Sequence, residues 1–166
     1  EKKTGVTQVQ FFERASCSAF DLQRWEKLHS CMLPEALKAF LRLTDGFLLK
    51  WHIHYQGELL PLGCMHVNSL HAILPAKVDR FHFASEESED DDDLDGEDSP
   101  AAASDYPRAY DLDSTCTEGR VLLLYRQHNQ PPSIWFQDLS NRCYFIAATF
   151  HDYFRLLILH LGLPRW

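Results

Sequence analysis

A chain of 166 residues with 45% hydrophobic and 13% aromatic side chains fits one globular domain with a ring-rich core, which excludes fibrous and wholly disordered classes. The formal charge of -8 belongs to one segment: ten of the 24 acids fall between Glu86 and Asp98, leaving 14 against 16 Lys and Arg, a nearly neutral body that argues against a nucleic-acid partner. Cys17, Cys31, Cys64, Cys116 and Cys143 are scattered and odd in number, which argues against a paired zinc motif or a disulfide framework and suits a reducing cytosol.

No apolar run approaches the ~20 residues of a membrane span, and no signal-peptide pattern opens the sequence. The start at Glu1 rather than Met implies that an upstream portion has been removed.

In chain order, residues 5–12 (GVTQVQFF) alternate poorly but are β-branched and aromatic enough for an edge strand or a strand preceding a helix. Asp21 caps a short helix that places Leu22, Trp25 and Leu28 on one face. The next helix is defined more sharply. Pro34 suits its first position, Leu33, Leu37, Phe40 and Leu41 share a face, and Gly46 supplies a left-handed stop. From Phe47 the period becomes two, with Phe47, Leu49, Trp51, Ile53 and Tyr55 on one side and Lys50, His52 and His54 on the other, up to a turn at Gln56-Gly57. Leu59 to Val67 returns as the partner strand, where Pro61 and Gly63 predict an edge or a bulge. Residues 68–76 read as a short helix or a connection.

Residues 84–105 combine the acidic run with Ser, Gly, Pro and Ala, a composition expected to form a disordered insertion. Structure resumes at Tyr110, turns near Glu118-Gly119, and returns as the buried strand Val121–Tyr125. Ile134–Gln137 and Cys143–Ala147 follow as strands around Ser140-Asn141, completing an antiparallel meander. Thr149 and Asp152 form a capping box for a last helix with Phe150, Phe154, Leu157 and Leu161 on one face, ended by Gly162 and Pro164. The fold class expected is α+β: a mixed, largely antiparallel sheet flanked by helices, with the insertion joining two halves of one sheet.

Chemical motifs are scarce. None of the seven glycines falls in a phosphate-cradling pattern, and no G-x-S-x-G elbow exists. His52 and His54 would chelate zinc if Glu58 or His66 completed the site, although a solvent-facing polar row is the simpler reading. Trp51, Trp135 and Phe136 would line a ligand pocket, but on alternating strand positions such rings, like Trp25 and Trp166, are more often core. The acidic run lacks the spaced ligands and glycine of a calcium loop, and Ser88 within it suits an acidic-directed kinase.

The segment LPEALKAFLRLTDGF resembles the signature of the SUKH superfamily, in which Leu-Pro opens a helix that ends in an Asn/Asp-Gly turn into the sheet. That resemblance implies a mixed sheet flanked by helices and, as in immunity proteins and cell-wall regulators, protein binding rather than catalysis. Taken with LLKWHIHYQGELLPLGCMHVNSL, EGRVLLLYR, the carboxy-terminal SIWFQDLSNRCYFIAATFHDYFRLLILHLGLPRW and the amino-terminal GVTQV, the chain is similar to a family of subunits of tubulin polyglutamylase complexes. Family chains continue past their Leu-Pro-x-Trp, which implies a trimmed sequence here.

The resemblance implies a non-catalytic adaptor with no cofactor, whose partners are the other subunits, among them a tubulin-tyrosine-ligase-like catalytic chain, with tubulin itself a further candidate. It also implies residence in the cytoplasm on microtubules, including the centrosomal region. Candidate partner-binding residues are Lys50, His52 and His54 and the acids Glu86, Glu87, Glu89, Asp90, Asp91, Asp92 and Asp93; the run resembles glutamate-rich tubulin tails and would compete with them, although a spacer is the simpler reading. Pro34, Gly46, Trp51, Trp135, Gly162 and Pro164 are expected to be structural. A free-standing SUKH-type binding module and a small metal protein using His52 and His54 remain as alternatives.

Overall fold

A computed structural model describes residues 6–77, 82–83, 107–128 and 130–162. The expected insertion at 84–105, with its acidic candidates and Ser88, lies outside the described residues, as do Pro164 and Trp166. Two sheets and three helices make up the rest, an α+β architecture. β1 (Val6–Glu13), β2 (Phe47–Tyr55) and β3 (Glu58–Val67) form an antiparallel three-stranded sheet in that order. The second sheet has the order β4-β8-β7-β6-β5, from β4 (His82–Phe83), β5 (Arg108–Asp113), β6 (Gly119–Tyr125), β7 (Ser133–Asp138) and β8 (Arg142–Ala147). Within it β5 to β8 form the expected antiparallel meander, while β4 runs parallel to β8.

The expectation of one continuous sheet is thus corrected to two. After Val67 the chain leaves β3 for a 3₁₀ turn at Leu70–Ala72, so β3 cannot continue alongside β5. What joins the sheets is local: the Asn68 amide donates to Leu112 O (2.8 Å), and Pro75 bridges to Tyr110.

Helix α1 (Ala19–His29) is capped by Ser18 rather than Asp21. Ser18 Oγ accepts the Asp21 amide (3.1 Å), and the Asp21 carboxylate accepts the Ser18 amide and hydroxyl, so the acid closes a capping box from the third helical position. Leu22 and Trp25 are buried, but Leu28, expected beside them, faces solvent. At three residues per step the row drifts around a 3.6-residue helix, and the helix is already ending at Ser30 in a left-handed conformation.

Helix α2 (Glu35–Leu43) begins one residue after Pro34, and its Leu37 and Leu41 are fully buried. Its carboxy-terminal cap, Thr44, is extended; Gly46, at φ 74°, turns the chain into β2 rather than capping the helix itself. The turn at Gln56-Gly57 has both residues at positive φ, as a two-residue hairpin requires. β3 bulges at Leu62, where Pro61 and Gly63 predicted it, and bare Gly63 lets the Trp51 ring lie across the strand.

Helix α3 (Phe150–Leu159) starts at Thr149, whose Oγ1 accepts the Asp152 amide (3.1 Å). It buries Phe150, Tyr153 and Leu157, while Leu161, placed by expectation on that face, lies beyond the last turn and is exposed.

The main core draws on all three helices and both sheets, from Leu22 and Leu37 through Trp51 and Met65 to Leu123, Ile134 and Tyr153. β6 is covered on both faces: Val121, Leu123 and Tyr125 enter this core, while Leu122 and Leu124 enter a second cluster with Ala109, Trp135 and Cys143. That explains the uninterrupted apolar run VLLLY.

A methyl group on Gly46 would stand 2.5 Å from Val67 O on a backbone held at positive φ. Gly46→Ala is therefore expected to cost at least ~1–3 kcal/mol of unfolding free energy, read as a lower midpoint in urea titration.

Candidate binding surface

The surface that sequence pattern singled out is the solvent face of the small sheet. Directly paired residues of an antiparallel ladder point the same way, so the register sorts every side chain to one of two faces. Phe47, Leu49 and Trp51 turn toward α2 and α3, with the Phe47 ring against Phe40 and Phe154 at centroid separations of 5.9 and 5.7 Å. The opposite face carries Lys50, His52 and His54 of β2, Thr7, Gln10 and Phe12 of β1, and Leu59, Pro61 and Cys64 of β3. Lys50 and His54 are exposed and His52 half-buried, its Nδ1 3.4 Å from Gln8 O. The structure therefore brings the three predicted residues together on an accessible face.

It does not assemble the zinc site weighed for them. Glu58 pairs with Tyr55 and so belongs to the other face. His66 pairs with Leu48, about 13 Å along the strand from His52, and is buried with its Nδ1 2.8 Å from Asp113 Oδ1. Asp113 Oδ1 also accepts the amide and hydroxyl of Thr115 (both 2.8 Å), which folds the β5–β6 turn over this end of the sheet. Among the described residues no group of three or more His, Cys, Asp or Glu is placed to hold a metal.

Among the described residues, β1 pairs with β2 on one side and with no strand on the other. Val6, Val9, Phe11 and Phe12 are 50%, 61%, 57% and 53% exposed there, on both faces of the strand, and a bulge at Gln8 (φ 50°) interrupts its register with β2. Sequence reasoning placed an edge strand here but missed that its apolar side chains remain uncovered. The adjacent Phe11-Phe12 pair was the available signal, because neighbouring strand residues point to opposite faces and a half-covered edge buries at most one of them.

Trp51 and Trp135 do not share a pocket: Trp51 lies in the main core, Trp135 in the second cluster against Phe83 (5.0 Å), with its Nε1 donating to Ser133 Oγ (2.8 Å). An open groove of about 860 Å³ does exist elsewhere, between the end of α1, the Cys31–Pro34 connection, Tyr125, Pro132 and the start of α3. Its polar floor is internally engaged. Glu26 accepts the Leu33 amide (2.9 Å) and pairs with Lys38 (3.2 Å), and the Tyr125 hydroxyl donates to Met32 O (2.7 Å).

Arg120 is similarly committed, donating to Gln137 Oε1 (2.8 Å), Asp111 Oδ1 (3.3 Å) and Lys77 O (3.0 Å); burial raises the Asp111 carboxyl while Arg120 opposes the shift. Burial raises the thiols of Cys31, Cys64 and Cys143, and burial with the nearby Asp45 lifts Cys17 to about 12, the opposite of what an activated nucleophile needs.

Residues 16–156 match the family described as SMI1 / KNR4 family (SUKH-1). This chain belongs to that family. The SUKH-1 assignment accounts for the Leu-Pro helix, the Asp45-Gly46 turn and the α+β architecture together. Curated relatives named "Tubulin polyglutamylase complex subunit 2" are 30% identical over 177 residues in Homo sapiens and over 178 in Rattus norvegicus, in each case covering all of this chain. The SUKH-1 chain spans 59% and 60% of the length of those relatives. No solved structure matches it.

With the other thiols shielded and shifted upward, brief alkylation of the native chain is expected to modify Cys116, the exposed cysteine, well before Cys17, Cys31, Cys64 or Cys143. Peptide mass spectrometry after timed iodoacetamide treatment checks the order.

Proposed function

We propose that this SUKH-1 chain is a non-catalytic adaptor subunit of a tubulin polyglutamylase complex, supporting glutamate-chain addition to tubulin tails by a separate tubulin-tyrosine-ligase-like subunit in the cytoplasm and on microtubules. The relatives' names supply the complex, and one observation carries the adaptor role: the β1 edge, which no strand among the described residues covers, with Val6, Val9, Phe11 and Phe12 each half or more exposed. An uncovered strand edge offers a ladder of main-chain donors and acceptors to another chain, and apolar side chains on both of its faces give the incoming segment surface to bury. The acidic run, Glu86 to Asp93 included, and the Lys50, His52 and His54 face are further candidate contacts. A free-standing SUKH-type module with one partner is the second reading, favoured by the same edge and by the superfamily resemblance.

Purification of the tagged full chain from its own cells, with mass spectrometry of what accompanies it, separates the two. A ligase-like chain with stoichiometric companions is expected; a lone chain or a single unrelated protein would sink the adaptor reading. The double variant Phe11→Lys, Phe12→Lys is expected to lose those companions while its unfolding free energy changes by no more than about 1 kcal/mol, because both rings are already more than half in water.

A further inference from the structure

The small sheet is electrostatically two-sided. Among its described residues the acids are Glu13 and Glu58, and the register puts both on the face shared with Phe47 and Tyr55. The other face carries Lys50, His52 and His54 in one line along the central strand, and no described residue of the sheet itself puts a carboxylate on it. Asp113 of β5 comes in from one end, 2.8 Å from His66 and near Cys64, the cross-strand partner of Lys50, where the β5–β6 turn folds over, leaving His52 and His54 beyond it. Phe12 and Leu59 edge the row, and Gln10 and Thr7 flank it.

Spacing adds selectivity to sign. Alternate residues of a strand stand ~6.6–6.8 Å apart, so the three side chains repeat at the interval at which an extended peptide presents its own alternate side chains. A chain with carboxylates at every second position, or at all positions, matches the row group for group. Charge-assisted hydrogen bonds from ammonium and imidazole N–H groups to carboxylates are the stronger kind, and three in register act together.

We propose that this face binds an extended, carboxylate-rich peptide from another chain, its alternate carboxylates seated on Lys50, His52 and His54. The inference stands on the sheet alone and does not require membership of a complex.

Fluorescence anisotropy of labelled decaglutamate titrated with the full chain tests it. Saturable binding that weakens as salt is added is expected. Lys50→Glu should weaken it roughly tenfold, and His52→Ala with His54→Ala by a similar factor, whereas Arg155→Glu, exposed on α3, should leave it unchanged. Absence of binding, an equal loss for Arg155→Glu, or equally tight binding of a neutral decaglutamine probe would each overturn the proposal. Deleting residues 86–98 is expected to leave the affinity unchanged; a roughly tenfold gain would show that the chain's own acidic run holds the row, and would overturn the assignment to an external partner. Decaglutamate binding by a chain that purifies without companions would keep this inference while removing the adaptor reading.

Discussion

Everything in this fold hangs on how two separate sheets come to cover one core, and that depends on the buried side chain of Asn68. Its backbone amide donates to Leu112 O (2.8 Å), and its Nδ2 donates to Asp111 O (3.0 Å) and Ala72 O (3.4 Å). One residue thereby links the end of β3 to β5 and to the 3₁₀ turn between them. The neighbouring Asp45 completes the junction by accepting the Leu70 amide at 2.6 Å, while its own amide donates to Ala15 O (3.0 Å). Where the sheets part, backbone groups would otherwise be stranded in an apolar interior, at a cost of ~1–3 kcal/mol each. Side chains supply what a continuing ladder would have supplied.

This junction also ties the interior to the surface. Gly46 combines a positive φ with a close pass against Val67 and Asn68 that leaves no room for a Cβ, and the same turn fixes where β2 starts. The start of β2 in turn sets which parity faces Phe40 and Phe154 and which carries Lys50, His52 and His54. A slip of one residue would exchange the two sets, burying Lys50 and exposing Trp51, so the ring contacts of Phe47 hold the polar row in place.

Legibility in the sequence followed periodicity. The Phe47–Tyr55 alternation, the Gln56-Gly57 turn and the VLLLY run were readable because each is a local pattern with one physical meaning. Caps were readable only in part: Asp21 was recognised as a capping acid, but its role belongs to the third helical position, since Ser18 has the oxygen that reaches the amide. The division into two sheets was not readable. Nothing in PLGCMHVNSL says that Asn68 will turn its amide on β5, because the partner lies more than forty residues away in sequence. The His66–Asp113 pair escaped for the same reason: His66 was weighed as a zinc ligand beside His52 and His54, and nothing local points to Asp113 until the fold sets the two 2.8 Å apart.

The order of the second sheet has a consequence for chain length. β4 and β5 occupy its two opposite edges, four strand spacings apart, so their facing ends are separated by roughly 19 Å. The connection from residue 84 to residue 107, fully extended, would reach about 80 Å. That number of residues is about four times what the gap between the two strand ends requires. The strand order could therefore be kept by a much shorter connection, and the ten acids between Glu86 and Asp98 are not needed to span the sheet.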